Sequence, residues 1–200
     1  MDRETKQLTM TDRGIIQSQN QAMGGSIVKG LIELITNSHD AYGDNPGEIN
    51  ITYRNRNISV TDNAGGIKNV TESLQIGARS ADFYNSRGSR GRLGRGLKDV
   101  PILAENNSFI LETIHNGEYT KLAFENSIKY SEINLNTKAT KEDFESIGCD
   151  KNGGTKISFK IKNNINKTRF ENLASKLSND FELRGIYKDR NVYLISGSKR

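Results

Sequence analysis

Glu33, Asn37 and Asp40 are spaced so that a helix would present them on one face. The three positions are separated by four and three residues, and side chains at those separations are neighbours on a helix surface. Such a face carries two carboxylates and one amide, which can accept protons and hydrogen bonds. A solvated surface helix would show the same residue types, so the assignment depends on the rest of the chain.

The element that would position this face is a predicted helix from near Gly25 to near Tyr42. Turn residues at positions 43–47 end the helix. Apolar residues at three- and four-residue spacing predict a buried stripe on its other side: Ile27, Leu31, Leu34 and Ile35.

Two further blocks follow in the chain. Asp62-Asn63-Ala64-Gly65-Gly66-Ile67 comes after two runs, at 49–54 and 58–60, whose alternation predicts a β-hairpin. Gly-Arg-Leu-Gly-Arg-Gly-Leu-Lys at 91–98 closes a glycine- and arginine-rich loop, which we place at 77–96. Loops of this length inside compact domains are usually functional or disordered. Three such blocks in this order would rarely arise by chance.

Together, the three blocks resemble those of the GHKL ATPases of the Bergerat fold, which include DNA gyrase B, heat-shock-ninety chaperones, histidine kinases, MutL and the MORC proteins. The resemblance runs from about Gly24 to about Ile161. It implies an α+β fold, a two-layer α/β sandwich in which a mixed, mostly antiparallel sheet is covered on one face by helices. It also implies that residues 77–96 form a long ATP lid. Ala64 departs from the family pattern, which has its first glycine there.

The resemblance implies a role for each residue of the first block. Glu33 is the expected general base, and Asn37 is the expected Mg²⁺ ligand. Asp40 and Ala41 complete the motif and are expected to line the nucleotide site.

The second block is expected to bind the base of the nucleotide. Asp62 would accept a hydrogen bond from the exocyclic amine of adenine, where guanine presents a carbonyl. Gly66 would allow the backbone to approach the nucleotide closely, and Ile67 is expected to line the same site. Thr155, in a later Gly-Thr pair, would join the water network around adenine.

The third block is expected to open a helix whose backbone amides face the phosphates. Lys98 would reach the terminal phosphate and act in catalysis, although a solvated lysine is a competing interpretation. Pro101 predicts a kink or an early end of this helix. The expected phosphate-binding residues are Gly94, Arg95, Gly96, Leu97 and Lys98.

The implied activity is Mg²⁺-dependent ATP binding with slow hydrolysis, used as a nucleotide-gated switch of conformation or dimerisation. ATP and Mg²⁺ are therefore the expected ligands, and self-association is expected on ATP binding. The Asn-Ser-His-Asp-Ala and Gly-Leu-Lys runs favour MutL-, MORC- and heat-shock-ninety-type members. DNA or a protein would be the client.

The remaining segments predict further elements. Helices are expected at 13–23, 68–75 and 166–179, a hairpin at 109–124, and a strand at 153–161. Residues 126–150 predict an irregular polar excursion, and residues 181–195 a strand or hairpin. We divide the chain into an arm and leading helix at 1–23, an ATP-binding domain at 24–162, and a C-terminal part at 163–200 that would begin a transducer domain.

Composition narrows the class of protein. One cysteine excludes an internal disulfide framework, and two histidines are too few for a Cys/His zinc cluster. No stretch approaches the roughly 18 apolar residues of a membrane span. We therefore expect no membrane contact and a cytoplasmic location, or a nuclear one in a eukaryote. The net charge of +5 permits nucleic-acid contact without establishing it.

Two other functions fit parts of the sequence. A histidine-kinase-type domain would keep Asn37 but generally lacks a glutamate four residues earlier, so Glu33 argues against it. A basic nucleic-acid-binding module that uses ATP only structurally would bind DNA in a salt-sensitive way without hydrolysis.

Overall fold

The computed structural model of the chain describes residues 11–74, 96–165 and 170–196. The strands within these residues are β1 Glu48–Arg54, β2 Asn57–Asp62, β3 Phe109–His115, β4 Glu118–Phe124, β5 Tyr130–Lys138, β6 Gly154–Lys160 and β7 Asn191–Ser196. They form one sheet in the order β5-β4-β3-β6-β2-β1-β7. Neighbouring strands are antiparallel except β1 and β7, which run parallel. The predicted mixed, mostly antiparallel sheet is confirmed.

Two tight turns build the hairpins that the sequence predicted. Asn55 and Arg56 join β1 to β2, and Asn116 and Gly117 join β3 to β4, all four with positive φ. Two successive residues in this conformation match the twist of antiparallel strands, and asparagine and glycine adopt it most readily.

The helices of the described residues lie mainly on one side of this sheet. They are α1 Asp12–Met23, α2 Ile27–Tyr42, α3 Val70–Ser73, α4 Gly96–Asp99, α5 Lys141–Ile147, α6 Phe170–Ser178 and α7 Ile186–Asp189. All four residues of the predicted stripe on α2 are buried, and they share one core with Ile51 of β1, Ile157 of β6 and Leu173 of α6. Helices packed on a sheet through one apolar layer form the predicted two-layer α/β sandwich.

The expectation that residues 126–150 are irregular is wrong. They contain β5, at one edge of the sheet, and α5, which begins with a capping box between Thr140 and Asp143. β5 is mostly exposed, so it lacks the apolar alternation that reveals a half-buried strand. Ile147 of α5 packs on Ile114 and Tyr119 in a second cluster, separate from the main core.

Two other elements differ from those expected. Residues 181–189 form turns and α7, so only β7 is a strand, and it joins the main sheet beside β1. The helix expected at 68–75 is shorter in the structure, where α3 covers Val70–Ser73. α4 ends at Asp99, and a 3-10 turn containing Pro101 follows. This agrees with the early end of the helix that was predicted from Pro101. The helix expected at 166–179 is described from Phe170.

Some predictions concern positions beyond this description. Gly94, Arg95 and all of the expected lid from residue 77 to residue 95 lie outside the described residues. The domain division at 24–162 and 163–200 stays a prediction. Within 11–74, 96–165 and 170–196, no helix is long and apolar enough to cross a membrane.

Candidate functional site

The first cluster of predicted site residues joins Glu33, Asn37 and Gly96. Glu33 and Asn37 lie one turn apart on α2, and α4 contacts that helix. A Cβ atom added to Gly96 would overlap Oε2 of Glu33 and lie 3.4 Å from Nδ2 of Asn37. Glycine therefore allows the first residue of α4 to touch both side chains.

The surroundings of Glu33 favour its protonated form. Burial raises the pKa of Glu33, and the negative charges of Glu182 and Asp99 raise it further. A carboxylate with a raised pKa accepts a proton more readily than an ordinary one. Glu33 is thus suited to act as a general base.

The amide of Asn37 has one side that no described residue contacts through a hydrogen bond. Its Nδ2 atom is buried and has no hydrogen-bond partner among the described residues. Buried polar groups are nearly always paired, so this amide beside Glu33 is suited to a bound ligand. Amide nitrogen and oxygen can exchange places by rotation, and an amide oxygen is a ligand that Mg²⁺ accepts. Asn37 therefore fits the predicted metal site.

A second cluster surrounds Asp62, the last residue of β2, which is only 7% exposed. Its Oδ2 accepts a 2.7 Å hydrogen bond from the Ser38 hydroxyl, and its Oδ1 accepts one of 3.1 Å from the Ala64 N–H. Burial raises the pKa of Asp62, while hydrogen bonds from Ser38, Ala64 and the Thr155 backbone oppose that rise. A carboxylate has about four lone-pair sites, so Asp62 can accept a further donor.

Thr113 connects this cluster to the loop after Asp62. Its hydroxyl accepts the Ile67 N–H at 2.9 Å and donates to the Gly154 carbonyl at 3.1 Å. It also lies 3.3 Å from the hydroxyl of Thr155, which is directly opposite Asp62 in the sheet. The predicted residues Asp62, Ile67 and Thr155 therefore meet on the inner face of the sheet.

Gly66 lies where this loop passes close to β3. Its φ is 73°, and an added Cβ atom would overlap the carbonyl of Ile114. The loop can follow this path only with glycine at position 66.

Lys98 is 5% exposed in α4, next to the partly buried Leu97. Burial lowers the pKa of Lys98, and the negative charge of Asp99 opposes that effect. The Lys98 carbonyl accepts a 2.9 Å hydrogen bond from Nε2 of Gln19, which also donates to the Ser127 carbonyl at 3.2 Å. A buried side chain of α1 therefore holds the backbone of α4.

The other predicted residues of the first block lie at the end of α2. Asp40 is half-buried and Ala41 is exposed.

Sequence reasoning missed Ser38, Thr113 and Gln19. Thr113 had a signal, because it shares the inward-facing alternation of Phe109 and Leu111 and is polar. Ser38 lies inside the first block, but no local pattern indicates its partner. Gln19 acts on Lys98, 79 residues away, and its own neighbours give no indication of that contact.

Comparison with protein families agrees with this geometry. A sequence model of the family described as histidine kinase-, DNA gyrase B-, and HSP90-like ATPase matches residues 26–155. This match covers more than half of the chain and includes both clusters. The chain belongs to this family.

Membership in this GHKL family indicates an ATP-binding module of the ATPase or kinase type. α1 precedes the matched residues of the GHKL domain, whereas α6, α7 and β7 follow them. A comparison with curated protein sequences found no match.

Proposed function

We propose that this GHKL domain binds Mg²⁺-ATP and hydrolyses ATP slowly, with Glu33 as the general base. The observation that carries the proposal is the contact of Glu33 and Asn37 with Gly96, where the predicted lid meets α4. A proton acceptor lies there beside an amide whose Nδ2 has no hydrogen-bond partner among the described residues. This is the pair of groups needed to activate water and to hold a metal beside the phosphates.

Each residue of the first cluster has a distinct part. Glu33 would align a water molecule and take its proton. Asn37 would offer its amide oxygen to Mg²⁺, which supplies charge neutralisation of the phosphates when bound. Lys98 would donate a hydrogen bond to the terminal phosphate. The negative charge of Asp99 supports the ammonium form that this role needs, because it opposes the lowering of the Lys98 pKa by burial.

The second cluster would select adenine. Asp62 would accept the hydrogen bond of the exocyclic amine, and Ser38 supports this role by holding Oδ2 of the carboxylate. Guanine would place a carbonyl oxygen against the carboxylate, and two acceptors cannot share a hydrogen bond. Thr155 would join the water network around the base, next to Thr113.

We also propose that ATP binding acts as a switch of conformation or self-association, as in MutL-, MORC- and heat-shock-ninety-type members. The hydrogen bond from Gln19 to the Lys98 carbonyl supports this, because it links the N-terminal helix to the helix that follows the predicted lid. DNA or a protein is the proposed client. Light scattering with and without a non-hydrolysable ATP analogue tests the self-association.

Hydrolysis is tested by comparing the wild type with Glu33→Gln. Both proteins should bind ATP with similar Kd, whereas phosphate release should fall by about a hundredfold or more in Glu33→Gln, as expected for loss of a general base. Glu145→Gln, on the exposed surface of α5, is the matched control and should behave as wild type.

Three outcomes would contradict the proposal. Absence of ATP binding by the wild type would refute it entirely. Unchanged phosphate release by Glu33→Gln would remove Glu33 as the base. Transfer of the phosphate to a histidine of a protein would favour the histidine-kinase-type alternative.

A further inference from the structure

Tyr42, the last residue of α2, reaches the loop that follows Asp62. Its hydroxyl oxygen accepts the backbone N–H of Asn63 at 2.9 Å. The same hydroxyl is in hydrogen-bond contact with Oδ1 of Asn63 and with the carbonyl of Glu48, the latter at 2.7 Å. One phenol group therefore holds both the main chain and the side chain of the residue next to Asp62.

The ring of Tyr42 is itself held in place. Arg190 places its guanidinium carbon 5.2 Å from the ring centroid, and its Nη2 donates to the carbonyl of Gly43. An added Cβ atom at Gly47 would overlap the ring. Tyr42 and Arg190 are both buried. The hydroxyl is thus presented to Asn63 by a ring with little freedom to move.

Arg190 connects this arrangement to the C-terminal segment. It directly precedes β7, which pairs with β1 through the register of Asn191 opposite Glu48. Arg190 and β7 both lie beyond residue 155, where the family match ends. A segment outside the matched residues therefore contacts Tyr42, which in turn contacts the loop after Asp62.

Two hydrogen-bonding side chains hold the predicted adenine acceptor and the residue next to it. Ser38 holds Oδ2 of Asp62, and Tyr42 holds the following residue. A hydrogen bond weakens steeply when its distance or angle departs from the preferred range, so the contact with adenine depends on both side chains.

We propose that Tyr42, held by Arg190, is a positioning residue that orients Asp62 and thereby sets the preference for adenine. This inference rests on the proposed binding of ATP. Tyr42 touches no nucleotide in this role and acts through Asn63 and Asp62.

The test compares ATP with purine riboside triphosphate, which has hydrogen in place of the exocyclic amine. The ratio of the two Kd values, measured by calorimetry, isolates the contribution of the amine. For the wild type we expect ATP to bind about tenfold more tightly, the effect of one hydrogen bond to a charged acceptor. For Tyr42→Phe we expect the ratio to fall to about twofold or less.

This ratio separates positioning from a general structural role. Both nucleotides share the ribose and triphosphate, so partial unfolding would weaken both equally and leave the ratio unchanged. Tyr187→Phe is the matched control, because that hydroxyl donates to the Leu177 carbonyl at 2.8 Å, and its ratio should equal the wild-type ratio. Asn63→Ala removes the contact between the Tyr42 hydroxyl and the Asn63 side chain by changing the other partner. This variant should also lower the ratio of the two Kd values.

Each outcome is distinguishable from failure of the proposed function. A wild-type ratio in both Tyr42→Phe and Asn63→Ala overturns the positioning role and leaves ATP binding standing. Equal affinity of the wild type for both nucleotides overturns the adenine role of Asp62 and this inference with it. No binding of either nucleotide by the wild type overturns the proposed function itself.

Discussion

The hydroxyl of Ser38 donates a 2.7 Å hydrogen bond to Oδ2 of Asp62. Ser38 follows Asn37 on α2, whereas Asp62 ends β2. Successive residues of one helix therefore serve both clusters, since Asn37 lies beside Gly96 and Ser38 holds Asp62. The two clusters thus share one rigid element.

Ser38→Ala should weaken ATP binding by about tenfold, and most strongly at acidic pH. Burial raises the pKa of Asp62 and the Ser38 hydroxyl opposes that rise, so its removal raises the pKa further. Adenine needs the ionised acceptor, and affinity should therefore begin to fall at a higher pH than in the wild type. Calorimetry between about pH 5 and pH 8 measures this. Ser178→Ala is the control, and identical pH profiles for Ser38→Ala and wild type would contradict the prediction.

Glu182→Gln should move the acid limb of ATP hydrolysis to lower pH. Burial, Glu182 and Asp99 all raise the pKa of Glu33, and a general base works only when ionised. Phosphate release should fall as the pH drops through that raised pKa. Without the charge of Glu182 the pKa of Glu33 is lower, whereas the rate of phosphate release at alkaline pH is unchanged. Steady-state rates across pH test this, with Glu171→Gln as control; an unmoved midpoint would count against the prediction.

Glu33→Gln should stabilise the fold at neutral and alkaline pH. The pKa of Glu33 is raised in the folded protein from the ordinary value of 4.5, so the folded state binds this proton more tightly than the unfolded state. The stability contributed by Glu33 therefore falls as the pH rises from the ordinary pKa through the raised one. Glutamine has no titrating carboxyl group, so Glu33→Gln removes this loss of stability. Thermal unfolding should show a higher Tm for Glu33→Gln at about pH 8 and little difference at about pH 4; an equal shift at both would contradict the assignment.

Gly96→Ala should slow hydrolysis strongly while leaving the fold intact. The added methyl group would displace the end of the Glu33 side chain, which is flexible and can rotate away at small cost. Phosphate release should fall by about a hundredfold, as for loss of the base, with a small change in Tm.

Gly66→Ala is the contrasting variant. The added methyl group would meet the rigid carbonyl of Ile114, and the alanine would have to adopt a positive φ. We therefore expect destabilisation by about 1–3 kcal/mol or more.

For Gly96→Ala, phosphate release at the wild-type rate would show that Glu33 does not act from its observed position.

Gln19→Leu should destabilise the protein by about 1–3 kcal/mol. The variant leaves the Lys98 and Ser127 carbonyls without their Gln19 donor in a buried environment. Denaturant unfolding measures the loss, and the exposed Gln17→Leu on the same helix should change stability little. Equal free energies of unfolding for the two variants would contradict the role of Gln19.

The sequence by itself determined the local elements and the order of the three blocks. The spacing of Ile27, Leu31, Leu34 and Ile35 predicted α2, and the placement of Glu33 and Asn37 on one helix followed from the same period. The alternation around Asn116 and Gly117 likewise predicted a hairpin. These features are readable because helix and strand geometry repeats within two to four residues, so the pattern and the structure have the same range.

Only the tertiary structure decided which distant groups meet. Ser38 and Asp62 are 24 residues apart, Thr113 and Thr155 are 42 apart, and Gln19 is 79 residues from Lys98. β5 was missed for a related reason, since its place at the sheet edge depends on backbone pairing with β4 rather than on burial of a side-chain face. Such contacts depend on the closure of long segments of chain, and local residue preferences extend over only a few residues and cannot specify them.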